Sequence, residues 1–330
     1  MKRTIILTVI ALGLTASSLP AQQETPDDSL SDQVTQQASK LEGELGKYRD
    51  TSSQAAEVLV QLVDLYHTHG RVFGLIRAGE KFAAAHPADQ RHQAVMLKLI
   101  DGLQATSRGK EMVAASRQFL ARYPGAPECA AIEVRLADTL IRLGDRAPAA
   151  DACRNVWKRQ QGNTVGRKYG ALAVRTYSQL GSPTSIEKAA SLAEEMLDKL
   201  PRGQFAKYIG YQAFLEWQRI NERAKSNVVG NKLLKKGITD DKQMAMVLYL
   251  AMADNYNRLQ QYANAVDILR KARGQGDNAA LHRQQIERMH SAAAKGKEME
   301  PLVREYLGKY RDRDDRHRME SYLAQAYLRT

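Results

Sequence analysis

The sequence predicts an all-α solenoid of about seven helix-turn-helix repeats of ~37 residues, with a lone capping helix at each end. Three observations predict it. Amphipathic segments at helical spacing end repeatedly in similar breaker phrases. Prolines fall between these segments or near their starts, where a missing N–H does no harm. No run of alternating apolar and polar residues is flanked by hairpin turns, so essentially no strand is expected.

The chain of 330 residues is 43% hydrophobic and 26% charged, which excludes global disorder and a polytopic membrane protein. Two cysteines exclude a disulfide-rich scaffold and a four-thiolate zinc site. Aromatic residues make up 6%, too few for an ordinary β-sandwich.

Residues 1–21 have the form of a secretory signal peptide. Lys2 and Arg3 are the positive region, Ile5 to Leu14 the apolar region, and cleavage is expected after Ala21. Leu19, at the −3 position, is larger than the usual small residue, which leaves an uncleaved anchor open. No cysteine lies near the cut, so a lipoprotein anchor is not expected. No later stretch reaches 18 apolar residues, so the mature chain is expected to lack a transmembrane segment and to be periplasmic or extracellular. Residues 22–29, with Pro26, Asp27 and Asp28, read as a linker, and residues 30–330 as the solenoid.

The first expected helix runs from Leu30 to Tyr48, with Leu30, Val34, Ala38, Leu41 and Leu45 on one stripe, and caps the N-terminal end. Breaker phrases then place marks at Asp50, Pro87, Pro124, Gln161, Pro201, Ile238, Gln275 and Asp312, spaced 37, 37, 37, 40, 37, 37 and 37. Gly181-Ser182-Pro183-Thr184-Ser185 reads as a longer inner loop that accounts for the 40. In the unit after Pro124, Glu133, Leu136, Ala137 and Leu140 recur at helical spacing, Leu143-Gly144-Asp145 breaks the pattern, and Pro148 opens a second helix. Pro127 and Pro301 are also expected in helix first turns. The last expected helix, Asp314 to Leu328, caps the C-terminal end.

The stretch Leu248–Gly276 resembles a tetratricopeptide repeat (TPR). Met252, Ala253 and Tyr256 match the large, small and aromatic positions of that family's first helix, and Ala265, Leu269 and Ala272 match the small, large and small positions of its second. Tyr66, and Leu136, Ala137, Leu140 and Ala149, fit more loosely. The period is three residues longer than the family's usual repeat, and Phe205–Gly237 lacks the small residues, so a related helical hairpin with longer helices is an alternative. The resemblance implies a right-handed α-solenoid that binds protein or peptide on its concave face and carries no catalytic residues.

Motifs of chemistry are weak. Gly102 to Lys110 lacks the second glycine and the Ser or Thr of a phosphate loop. The Gly274–Ala279 glycine pattern follows a helix rather than a strand, so it reads as a turn. His67 and His69 point to different sides of a helix, and His86 and His92 read as exposed polar residues beside a turn. No metal, cofactor or catalytic residue is expected. Cys129 and Cys153 would sit at heights differing by roughly 12 Å, beyond the ~7 Å Cα reach of a disulfide, which favours two buried thiols.

Two surfaces are candidate sites. Asp64, Asp101 and Asp138 recur at one first-helix position, 37 residues apart, and Asp254 sits there in the best-matching repeat. Together they form an acidic ladder suited to a cationic or amide-rich peptide, interrupted by Arg175; a solvated helix face is the plain alternative. The second surface is basic. Residues 22–161 carry 18 basic and 18 acidic side chains, whereas residues 162–330 carry 29 and 19. Lys207, Arg219, Arg223, Lys225, Lys232, Lys235 and Lys236 concentrate in one unit and suit an anionic envelope polymer or lipid. Nucleic acid is disfavoured by the export signal. The same unit spaces Phe205, Tyr208, Tyr211, Phe214 and Trp217 by three, so they cannot share one helix face. Some must pack between repeats while Tyr208 and Tyr211 reach a binding surface. The function expected is a non-enzymatic protein- or peptide-binding scaffold of the cell envelope. Alternatives are the non-catalytic front of a larger envelope enzyme, or a binder of anionic glycan or lipid.

Overall fold

The computed structural model describes residues 28–237, 242–276, 279–291, 296–311 and 314–328. The expected signal segment, most of the linker, and the marks at Ile238 and Asp312 lie outside the described residues. Among those residues there are sixteen helices and no strand. They are α1 (Asp28–Leu45), α2 (Ser53–Thr68), α3 (Val72–Ala85), α4 (His92–Ala105), α5 (Gly109–Arg122), α6 (Cys129–Leu143), α7 (Arg146–Arg159), α8 (Thr164–Leu180), α9 (Pro183–Lys199), α10 (Gln204–Arg219), α11 (Arg223–Lys235), α12 (Lys242–Arg258), α13 (Tyr262–Gln275), α14 (Ala279–Ser291), α15 (Gly296–Lys309) and α16 (Arg316–Leu328). Helices α2 to α15 follow one another as seven pairs, with α1 and α16 unpaired at the ends. The architecture is that of a TPR-like helical-repeat protein.

The chain divides into two compact units, one ending at Gly102 and one beginning at Leu103. In the first, α1 packs on α2 and α2 on α3. Ala38 and Leu41 of α1 join Leu59, Leu62, Val63, Leu75 and Phe82 in one core. Glu42 ties the cap down by accepting from the Tyr66 hydroxyl at 2.9 Å and from Arg77. In the second unit each helix from α5 to α16 packs against its neighbour in the chain. One continuous core runs from Val113 to Leu281 through Trp157, Tyr177, Phe214 and Met252. A smaller cluster of Met299, Val303, Tyr306, Met319 and Ala326 seats α16.

Most of the turns inside the pairs, among the described residues, are built the same way. Six of these turns hold one residue at positive φ: Gly70, Ser107, Gly144, Gly181, Asn221 and Gln260, with φ of 64, 57, 76, 76, 66 and 58°. In five, the next residue's N–H reaches back to the carbonyl five residues earlier: Arg71 to Tyr66, Arg108 to Leu103, Asp145 to Leu140, Glu222 to Trp217 and Gln261 to Tyr256. The positive-φ residue donates to the carbonyl three residues before it. This is the Schellman arrangement, which satisfies two otherwise orphaned helix carbonyls and bends the chain sharply enough for a second helix to return.

Four expectations need correction. The extra three residues behind the 40-residue spacing are not in a loop. Gly181 and Ser182 alone form that turn, Ser182 caps α9 with Pro183 at its first turn, and α9 runs 17 residues where α3, α5 and α7 run 14. Neither Pro127 nor Pro301 is in a first turn: Pro127 lies in the turn before Glu128, which precedes α6 at Cys129, and α15 begins at Gly296, so the Pro301 ring lies inside the helix. Gln275 ends α13 rather than lying in the connection. His86 and His92 are not exposed: they are 9% and 0% accessible, with rings 5.4 and 6.5 Å from Phe82.

Cys129 and Cys153 are buried free thiols, as their heights on the helices implied. Burial first, then the nearby Asp138 charge, pushes the Cys153 thiol up to about 12. In the first unit, Asp89 accepts from the Arg91 side chain at 2.8 and 3.0 Å, and this pairing holds its carboxyl down at about 2.

Three outcomes are expected. At Gly144 a Cβ meets no atom within 4 Å, so Gly144→Ala measures the cost of φ alone, about 1 kcal/mol lost in urea unfolding, while Ser107→Gly and Gln260→Gly gain up to about 1 kcal/mol each. Both thiols stay unmodified by a disulfide reagent at neutral pH until the chain is unfolded. Because the Asp89 pKa is depressed in the fold, its contribution to stability is present above about 3.8 and is lost as pH falls towards about 2. Acid unfolding of Asp89→Asn therefore loses part of its slope in that window.

Candidate functional site

The turns give a structural register for the first helix of each pair. Counting back from the carbonyl that the Schellman bond uses, the positions two residues earlier are Asp64 and Asp101 in the first unit, and Asp138, Leu215 and Asp254 in the second. Arg175 holds this place in α8, six residues before Gly181. The ladder positions are thus equivalent by backbone geometry as well as by spacing.

Their side chains are engaged. In the first unit Asp64 pairs with Lys98 at 2.5 Å, and Asp101 lies 3.9 Å from the His67 ring. In the second, Asp138 accepts from the Tyr169 hydroxyl of α8 at 2.7 Å, and Asp254 pairs with Arg258 one turn on at 2.8 Å. Burial, with the Asp138 carboxylate second, raises the Tyr169 pKa. Arg175 is exposed and has no partner among the described residues.

The basic unit spends its charge between helices. On α11, Lys232 bonds Glu194 and Asp198 of α9 at 2.8 Å each, which stabilises its ammonium against burial. Lys236 caps the end of α9 by donating to the carbonyls of Leu197 and Leu200. Lys225 sits 4.4 Å over the Trp217 ring, between Glu187 and Glu222. Arg219 donates to the Ser178 carbonyl at 3.0 Å and lies beside buried Glu216, while Arg223 reaches Asn255 at 3.3 Å. Lys207 borders a cleft with Arg202 and Lys236, and Lys235 is exposed. These contacts follow a pattern. The residue after the reference carbonyl donates to the residue before it on the next first helix: Ser178 Oγ to Glu216 at 2.7 Å and Gln218 to Asn255 at 3.3 Å. Asn255 also bonds Ser226 and Asn227 in the interior. First helices therefore lie side by side from α8 to α12, and second helices likewise from α9 to α11.

This row exposes one stripe. On a helix, residues at i, i+3, i+4 and i+7 share a face. In α8 the stripe is Lys168, Ala171, Leu172 and Arg175; in α10, Tyr208, Tyr211, Gln212 and Leu215; in α12, Val247, Leu250, Ala251 and Asp254. All of these are half-buried or exposed. The sequence reading found Tyr208 and Tyr211 but missed Leu215, Val247 and Leu250, whose accessibility depends on a register that the turns reveal. The five aromatics of α10 divide as a period of three requires. Phe214 and Trp217 are buried, Phe205 and Tyr211 are half-buried, and Tyr208 is 54% exposed. Tyr211 stacks on Phe214 at 6.4 Å, and burial raises its pKa.

Among the described residues no group of three or more His, Cys, Asp or Glu is placed to hold a metal, and no helix is long and apolar enough to cross a membrane.

No protein-family model matches the sequence, and no curated protein does. Solved structures with similar helical arrangements include a tetratricopeptide repeat protein from Parabacteroides merdae, at 14% identity and TM-score 0.34, covering 83% of this chain and 100% of that one. A thermophilic TPR protein from Thermus thermophilus is 20% identical at TM-score 0.28, covering 60% and 98%. The Naa15/Naa10 complex bound to HypK-THB gives 12% identity at TM-score 0.41, covering 90% and 44%.

Two ladder variants should separate. Asp138→Ala strands the buried Tyr169 hydroxyl and is expected to cost about 1–3 kcal/mol in urea unfolding. Asp64→Ala breaks an ion pair whose carboxylate is half-exposed and is expected to cost less than about 1 kcal/mol.

Proposed function

We propose that this chain is a non-enzymatic scaffold that holds a protein or peptide partner on the exposed stripe of its first helices, and that it works outside the cytoplasm, in the periplasm or beyond the cell. The supporting observation is the stripe itself. Successive first helices stack in register and present half-buried apolar and polar side chains at i, i+3, i+4 and i+7. A face built this way offers many shallow contacts along its length, which suits an extended segment or a helix rather than a small molecule. Charge argues against the anionic-polymer reading, because Lys232, Lys236, Arg219 and Arg223 are already bonded to neighbouring helices. Export rests on the pattern of residues 1–21.

Capture from the cell envelope of the source organism tests the reading. Immobilised full chain is expected to retain a partner that the double variant Tyr208→Ala, Val247→Asp loses at least about tenfold, a change of about 1.4 kcal/mol at two exposed hot-spot positions. Both side chains are about half-exposed, so the variant should unfold at nearly the wild-type temperature. Retention unaffected by the double variant would place binding elsewhere. Sequencing of protein recovered from outside the cytoplasm should begin at Gln22.

A further inference from the structure

Resting on the scaffold reading, the stripe carries more detail about its occupant. Its character changes from helix to helix within the second unit. On α8 it carries Lys168 and Arg175, both exposed. Arg175 has no partner among the described residues, and Lys168 only lies 5.3 Å from the Tyr169 ring. This stands out in a molecule whose other basic side chains from α9 to α11 are mostly paired. On α10 the stripe has no charge at all: Tyr208, Tyr211 and Leu215 line it, with Gln212 between them. Val247 continues the apolar patch onto α12 at 48% exposure. Where the patch ends, Asp254 and Arg258 neutralise each other.

Each part selects a chemistry. An exposed guanidinium without a partner keeps its donors for an incoming carboxylate and can take it in a two-pronged bond. Tyr211, held against Phe214, loses little conformational freedom on contact, and a tyrosine beside a second exposed tyrosine is a favoured anchor for apolar side chains. The stacked first helices place these parts next to one another, because Ser178 of α8 bonds Glu216 of α10 and Gln218 of α10 bonds Asn255 of α12. We propose that this face binds a segment of a partner protein in which acidic residues adjoin large apolar ones, the carboxylates on Arg175 and Lys168 and the apolar side chains over Tyr208, Tyr211, Leu215 and Val247. A basic segment is disfavoured, since it would set like charge against Arg175 and Lys168.

The test is a selection of random phage-displayed peptides of about twelve residues on the immobilised full chain, a length that suits a stripe crossing three helices. The expected consensus places Asp or Glu beside Leu, Phe, Tyr or Trp. The same selection on Arg175→Glu should replace the acidic positions by Lys or Arg. For the best fluorescein-labelled peptide from the wild-type selection, anisotropy titration should show affinity falling about tenfold or more with Arg175→Glu and with Tyr208→Ala. Arg175→Lys should restore most of it, and raising the salt concentration should weaken the wild-type complex but not the residual binding of Arg175→Glu. Arg175 is an exposed side chain, so circular dichroism of its variants is expected to match wild type. A consensus without acidic residues, or an affinity that depends on Tyr208 but ignores Arg175→Glu, overturns this specificity and leaves the scaffold reading intact. No enrichment of any peptide overturns both.

Discussion

The constraint on which the rest depends is that a pair of helices 13 to 17 residues long cannot bury its apolar faces alone. Stability comes only when pairs stack, and stacking works only if every pair presents its faces at the same height and angle. The Schellman turn enforces this. By fixing one residue at positive φ and bonding back to the carbonyl five residues earlier, five of the described turns set where the second helix starts relative to the last turn of the first. The contacts that recur between pairs, Ser178 to Glu216 and Gln218 to Asn255, follow from that shared register. So does the exposed stripe.

Much of this fold was legible in the amino-acid order, for a physical reason. Pro87, Pro124 and Pro201 cannot sit inside a helix without losing a bond, so they mark the connections between pairs wherever they occur. The inner turns were less legible. Only three of the six positive-φ residues are glycine; Ser107, Asn221 and Gln260 take the same conformation because the two turn bonds offset its cost. Pro183 misled because a proline reads equally as a loop residue or as the first residue of a helix, and capping by Ser182 decides between the two. His86 and His92 misled in the opposite sense: polarity suggested exposure, but both rings pack beside Phe82.

The candidate site was half legible. Spacing found the aspartates of the first helices, and the turn register places them at one equivalent position. What spacing does not report is whom a charge faces. The seven basic residues around α10 and α11 read as a surface for anions, yet most lie against carboxylate or carbonyl oxygens contributed by residues 32 to 41 positions away in the chain, which only stacking brings near. An ion pair across two stacked pairs and a free cationic surface have the same local sequence signature. Exposure of an apolar residue is hidden in the same way. Leu215 occupies the position that Asp64 and Asp138 hold in other pairs, so its presence on the stripe is seen only once those positions are aligned.

That substitution of Leu215 for aspartate is where fold and function part. A repeat position facing solvent is satisfied by a charged residue, and aspartate holds this one in four pairs. Leucine at this place adds apolar surface that water solvates poorly, and Tyr208 and Val247 enlarge the same patch. Tyr208 and Val247 stand outside the core cluster and Leu215 only packs against its edge, while the interior of this unit is filled by Phe214, Trp217, Leu248 and Met252. Apolar area that the core does not use is stabilised by removal from water, and a second chain lying on the stripe supplies that removal. The unpaired Arg175 beside it adds a direction to the preference, since burying a lone guanidinium under a partner is favourable only if the partner brings a carboxylate to it. The two features together thus constrain the partner more narrowly than either does alone.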